Sequence, residues 1–162
     1  MANSKITTNE DKPLHTVEVS RSAERLPDEP EDVQISSWLR FSLDFLGCQS
    51  SEVSVHFVKE NEAAALNSRY RGYEKTTNVL SFPSGITLGK ELFLGDIVIS
   101  SEVVRREAAE YGVDFVDRYA HMLVHGLLHL IGYDHIEESE RNRMEHKEKE
   151  LLLKLGMGNP YE

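Results

Sequence analysis

The stretch His121-Met122-Leu123-Val124-His125-Gly126-Leu127-Leu128-His129-Leu130-Ile131-Gly132-Tyr133-Asp134-His135 carries four of the seven histidines in this 162-residue chain. Apolar residues fill most places between them, so the run reads as a buried helix with one polar stripe. Asp114 or Asp117 supplies an acidic start and Gly132 a stop, which sets the helix at Asp114 to Ile131. His125 and His129 lie four residues apart, at nearly one azimuth and roughly 6 Å apart along the axis. Gly132 accepts positive φ at little cost, and a turn there can bring His135 back as a third ligand.

Three neutral imidazoles suit one divalent ion, most readily Zn²⁺, with Ni²⁺ or Cu²⁺ also able to fit. They leave one tetrahedral position open, which is the catalytic rather than the closed structural arrangement. An ion held this way lowers the pKa of its water to about 7. Metallopeptidases of the His-Glu-x-x-His-x-x-Gly-x-x-His type share the spacing and use the glutamate as general base. Gly126 stands at that place here. A zinc metallopeptidase-like hydrolase is therefore disfavoured, because an amine leaving group needs a proton donor. Cleavage of a phosphodiester depends more on positioning and charge stabilisation.

Before this helix the pattern alternates. His15 to Ser20, Val53 to Val58, Asn78 to Phe82 and Leu92 to Ile99 read as strands, the third stopped by Pro83 and Gly85. Helices are predicted at Glu31 to Leu46, Asn61 to Tyr70, Ser101 to Tyr111 and Glu137 to Leu155. The fold class is α+β: a single domain with a small mixed β-sheet of about four strands, packed with helices that include the metal-binding His-x3-His helix. Residues 1–14 are expected to be a flexible tail and residues 15–162 the domain.

Hydrophobic residues make up 40% and charged residues 28%, a globular balance that can bury a core without staples. The single cysteine, Cys48, cannot form an internal disulfide and fits a reducing compartment. No stretch is long and apolar enough to span a membrane, and Met1 to Leu14 lacks a secretory core, so the expected location is cytoplasmic. The net charge of −10 argues against nucleic acid held by bulk charge. That deficit lies at the two ends: residues 61–100 hold 4 basic and 4 acidic side chains. Within them Arg69, Arg71 and Lys75 outweigh Glu74, a locally basic strip of the kind a small anionic site needs.

Four blocks then occur in order: Leu66-Asn67-x-x-Tyr70-Arg71-Gly72, Thr77-Asn78-Val79-Leu80-Ser81-Phe82-Pro83, Leu94-Gly95-Asp96-Ile97 and the histidine block. Together they resemble the YbeY endoribonuclease family, over about 70 residues. Glu74 and Thr76 depart from the Asp and Pro of some members. The resemblance implies a metal held by His125, His129 and His135, and a functional arginine at Arg71. It implies a metal-dependent endoribonuclease that prefers single-stranded RNA. Such an enzyme matures the 3′ end of the small-subunit ribosomal RNA and serves ribosome quality control. Its partners would be ribosomal RNA, the small subunit and associated proteins.

His121 shares the face of His125 and is open to three roles: a substrate contact, a partner of the ligands or a packed histidine. Asn78 and Ser81 could touch ribose or phosphate, or bond locally at a strand end. Asp134 could orient His135, act as a weak base or cap its turn, and Asp96 could belong to a site or to a bulge or turn. His56 and His146 read as ordinary strand and helix residues. The rival in another class is a non-catalytic ribosome-assembly factor with a structural metal, whose acidic last helix meets basic ribosomal proteins.

Overall fold

Alternating side chains set the sheet. In the computed structural model, which describes residues 12–71 and 78–161, strand β1 (His15–Arg21) leads to helix α1 (Asp32–Phe45), strand β2 (Ser51–Phe57) and helix α2 (Glu60–Arg71). Strands β3 (Val79–Leu88) and β4 (Glu91–Ile99) follow, then helices α3 (Ser101–Tyr111), α4 (Phe115–Ile131) and α5 (Glu138–Lys154). The strand order is β1-β2-β4-β3. The β1–β2 and β2–β4 pairs are parallel and β3–β4 is antiparallel, so the sheet is mixed as expected.

Residues 1–11, most of the expected tail, lie outside the described residues. Leu14 is already tied in: its amide donates to Ser50 Oγ at 3.0 Å and its carbonyl accepts from the Ser51 amide. Strand β3 runs on to Leu88, past the stop expected at Pro83 and Gly85. The reason is its place at the sheet edge, where a proline's missing N–H costs little and a register shift between Pro83 and Ile86 absorbs the irregularity. Opposite Pro83, Gly95 has φ +135°, and a Cβ there would stand 2.2 Å from the Phe82 carbonyl oxygen. Only glycine fits that close approach.

One face of the sheet carries the core. Val53, Val55, Phe57, Ile97 and Ile99 meet Ile35, Leu39 and Leu43 of α1 and Leu123, Leu127 and Leu128 of α4, with Met144 and Leu151 of α5 joining them. Each such side chain contributes about 1.5–3 kcal/mol by leaving water. On the opposite face a smaller cluster, Val58, Ala63, Leu80 and Val98, packs with Leu66. Helix α4 is thus held between the sheet and α5, which places its histidines.

Candidate metal centre

Helix α4 is anchored at both ends. Asp114 Oδ1 accepts the amides of Val116 and Asp117 at 2.9 and 3.1 Å, satisfying donors the helix leaves free. Gly132, at φ +114°, closes the other end by donating to the Leu128 carbonyl. Between them Gly126 faces the sheet so closely that a Cβ would meet Ile97 and Ser81 at 3.2 Å and Val79 at 3.3 Å. The Ser81 hydroxyl donates to the Gly126 carbonyl at 2.8 Å. With the apolar side chains and Gly126 committed to the core, His125 and His129 are left half-buried on the remaining stripe.

The turn after Gly132 brings His135 to them. One ligand nitrogen from each of His125, His129 and His135 can be chosen so that all lie within 4.8 Å of one another. The Nε2 atoms of His125 and His129 stand 3.2 Å apart. Two nitrogens bound at 2.0–2.1 Å to one tetrahedral ion would stand about 3.3 Å apart, so the pair fits such an ion. Burial, and then the neighbouring His125 and His135, lower the His129 pKa to about 4. Its ring is neutral at pH 7, as a ligand must be.

Behind His125 stands Glu148 of α5, fully buried. Its Oε2 lies 2.7 Å from His125 Nδ1 and 3.4 Å from His121 Nε2, while Oε1 accepts the Tyr161 hydroxyl. Burial alone would raise this carboxyl's pKa, but hydrogen bonds from His121, His125 and Tyr161 outweigh it and bring the pKa down to about 2. A charged Glu148 fixes the proton of His125 on Nδ1 and leaves the Nε2 lone pair facing His129. Sequence reasoning passed over Glu148. Its signal was spacing: it follows Met144 by four residues and precedes Leu151 by three, a charge on the buried stripe of an otherwise solvated helix.

The other expected site residues are placed as follows. His121 is buried beside Glu148, its ring 6.4 Å from that of His125. Asp134 Oδ1 accepts the His135 amide at 2.7 Å, within the turn that carries the third histidine. Asn78 donates to Glu107 of α3 at 2.8 Å. Ser81 is buried against α4. Arg71 is the last residue of α2, and Gly72 to Thr77, including Lys75, lie outside the described residues. Asp96 faces away from α4 and accepts from His56 Nε2 at 2.8 Å, while His56 Nδ1 meets the Ser20 hydroxyl at 2.6 Å. His146 is exposed on α5.

Comparison with known proteins gives matches over most of the chain. A family model described as Endoribonuclease YbeY matches residues 17–156. An Endoribonuclease YbeY of Alteromonas mediterranea is 47% identical over 136 residues, covering 83% of this chain and 86% of the relative. Another, from Halorhodospira halophila, is 44% identical over 137 residues, covering 82% and 88%. The solution structure of TM1509 from Thermotoga maritima shares the fold at 21% identity, with a TM-score of 0.55, over 91% of this chain and 99% of that one.

Proposed function

The chain belongs to the YbeY endoribonuclease family, and from that premise we propose that it is a metal-dependent endoribonuclease acting on single-stranded ribosomal RNA. The substrate in this reading is the 3′ end of the small-subunit RNA, met in the cytoplasm in company with the small subunit and its proteins, and the same activity serves ribosome quality control. The observation that carries the reading is the convergence of His125, His129 and His135, with His125 backed by Glu148. No helix among the described residues is long and apolar enough to cross a membrane.

His125, His129 and His135 would hold one divalent ion, Zn²⁺ before Ni²⁺ on ligand type and availability. Once bound, the ion supplies Lewis acidity toward a phosphodiester oxygen. Arg71 is assigned the other phosphate oxygens. A guanidinium pairs two of them through its fork and stays charged at every working pH. Its task is to stabilise the negative charge that grows on the phosphorus-bound oxygens in the transition state. Position 126 takes no part as a base. A glutamate there would have to displace Ile97, Ser81 and Val79.

Metal content and cleavage of a defined single-stranded RNA, measured together, test this reading. Arg71→Ala is expected to keep its metal and lose about 10²–10³ in rate. His129→Ala is expected to lose both metal and cleavage. Cleavage by Arg71→Ala equal to that of the parent would remove the role given to Arg71. Cleavage that survives in the histidine variant would point to a contaminating nuclease.

A further inference from the structure

We infer that Tyr161, in the segment behind α5, is a positioning residue for the metal centre: its hydroxyl holds the Glu148 carboxylate in place against His125. The inference rests on reading the three histidines as a metal site, and it adds a role for the last described residue of the chain.

The path of the segment is specified step by step. Gly156 turns the chain out of α5 at φ +87°, and the Met157 amide donates back to the Leu152 carbonyl at 2.8 Å. The Gly158 backbone bonds to the Asp117 carboxylate at the start of α4. Asn159 Oδ1 accepts the Tyr161 amide at 2.9 Å. These bonds carry the strap from α5 across to α4 and aim Tyr161 inward. A cavity of about 290 Å³ opens under the strap, between Asp117, His121, Leu152 and Pro160. Tyr161 itself is 46% exposed. Close packing therefore does not fix this side chain; its hydroxyl bond and its edge-on contact with the His121 ring, 5.6 Å between centroids, do.

Acceptor accounting shows why the hydroxyl matters. An ionised carboxylate offers two oxygens and no donor. Oε2 of Glu148 is occupied by His125, with His121 Nε2 3.4 Å from both Oε2 and the Tyr161 hydroxyl, which leaves Oε1 to Tyr161. Without that donor, a buried charged oxygen would be unsatisfied, which is costly. The carboxylate would then turn toward water or other donors and loosen its bond to His125 Nδ1. Partners that orient a metal-bound histidine typically matter 10–100-fold in metal affinity.

The test is zinc affinity, read by competition with a chromophoric chelator, for the parent, Tyr161→Phe, Glu148→Gln and the double variant. Melting temperatures of the metal-free proteins are taken alongside. Tyr161→Phe is expected to weaken zinc binding by about tenfold and Glu148→Gln by about 10–100-fold. The double variant should bind no more weakly than Glu148→Gln, because the tyrosine acts on the metal ligands through the carboxylate. Additive losses would overturn the inference, as would parental zinc affinity in Tyr161→Phe, whether or not its melting temperature falls. A parent that binds no zinc overturns this inference and the proposed function together. A parent that binds zinc and shows the non-additive pattern, but cleaves no RNA, upholds the inference and removes the proposed function.

Discussion

His125 and Gly126 are adjacent and serve opposite sides of one helix. His125 turns its ring toward His129 and His135, whereas Gly126 lets the backbone approach the sheet until Ser81 can bond to its carbonyl. In the sequence Gly126 is legible as a missing base, and the resulting argument against a peptidase needs no structure. Its packing role is not legible, because Val79, Ser81 and Ile97 are far from it in the chain. At an exposed helical site, glycine to alanine would gain about 1 kcal/mol. Here the added methyl meets three anchored atoms at 3.2–3.3 Å, and overpacking costs about 1–3 kcal/mol. Gly126→Ala should therefore lower stability by about 1 kcal/mol, seen as a lower urea midpoint at unchanged slope. A raised midpoint would mean that the sheet yields.

At the scale of elements, α4 separates two kinds of support. Asp114 caps its first turn, well over two turns before His125, and Gly132 ends it just before the turn to His135. Both were readable as helix signals. Asp114→Ala removes two amide partners and should cost about 1 kcal/mol without altering zinc affinity. Gly132→Ala has free space around it but places a side chain at φ +114°, a strain of about 1–3 kcal/mol. That strain falls on the turn carrying His135, so zinc affinity should fall together with stability. Denaturation and zinc competition on the two variants separate these outcomes. Strand β3 was readable only to Phe82, because edge position decides whether Pro83 ends a strand, and strand order is not written locally. Helix α5 was legible as a charged amphipathic helix, but the partner of its buried Glu148 was not.

Across the whole molecule, the burial of His129 and the hydrogen bonds made to Glu148 make stability depend on pH. In metal-free protein His129 titrates near 4 instead of 6.5, so the unfolded chain binds the extra proton first and stability falls as pH drops from about 6.5 through 4. Glu148, near 2 instead of 4.5, adds a second loss as pH drops from about 4.5 through 2. Melting of chelated protein should fall across both windows, and His129→Gln should flatten the first. The net charge of −10 first argued against nucleic acid. Its even balance over residues 61–100 narrows that argument to bulk attraction, leaving room for a local grip by Arg71 and a bound cation. The sequence by itself determined the α+β class, the helix bearing His125 and His129 and the turn at Gly132, because these depend on periodicity, glycine conformation and short local spacing, and its four motif blocks carried the resemblance to the family. Only the tertiary structure decided the strand order β1-β2-β4-β3, the close seat of Gly126 and the contacts of Glu148 with His121, His125 and Tyr161. Those depend on which distant segments share a buried space, where an unpaired polar atom is costly and a partner from another element must satisfy it.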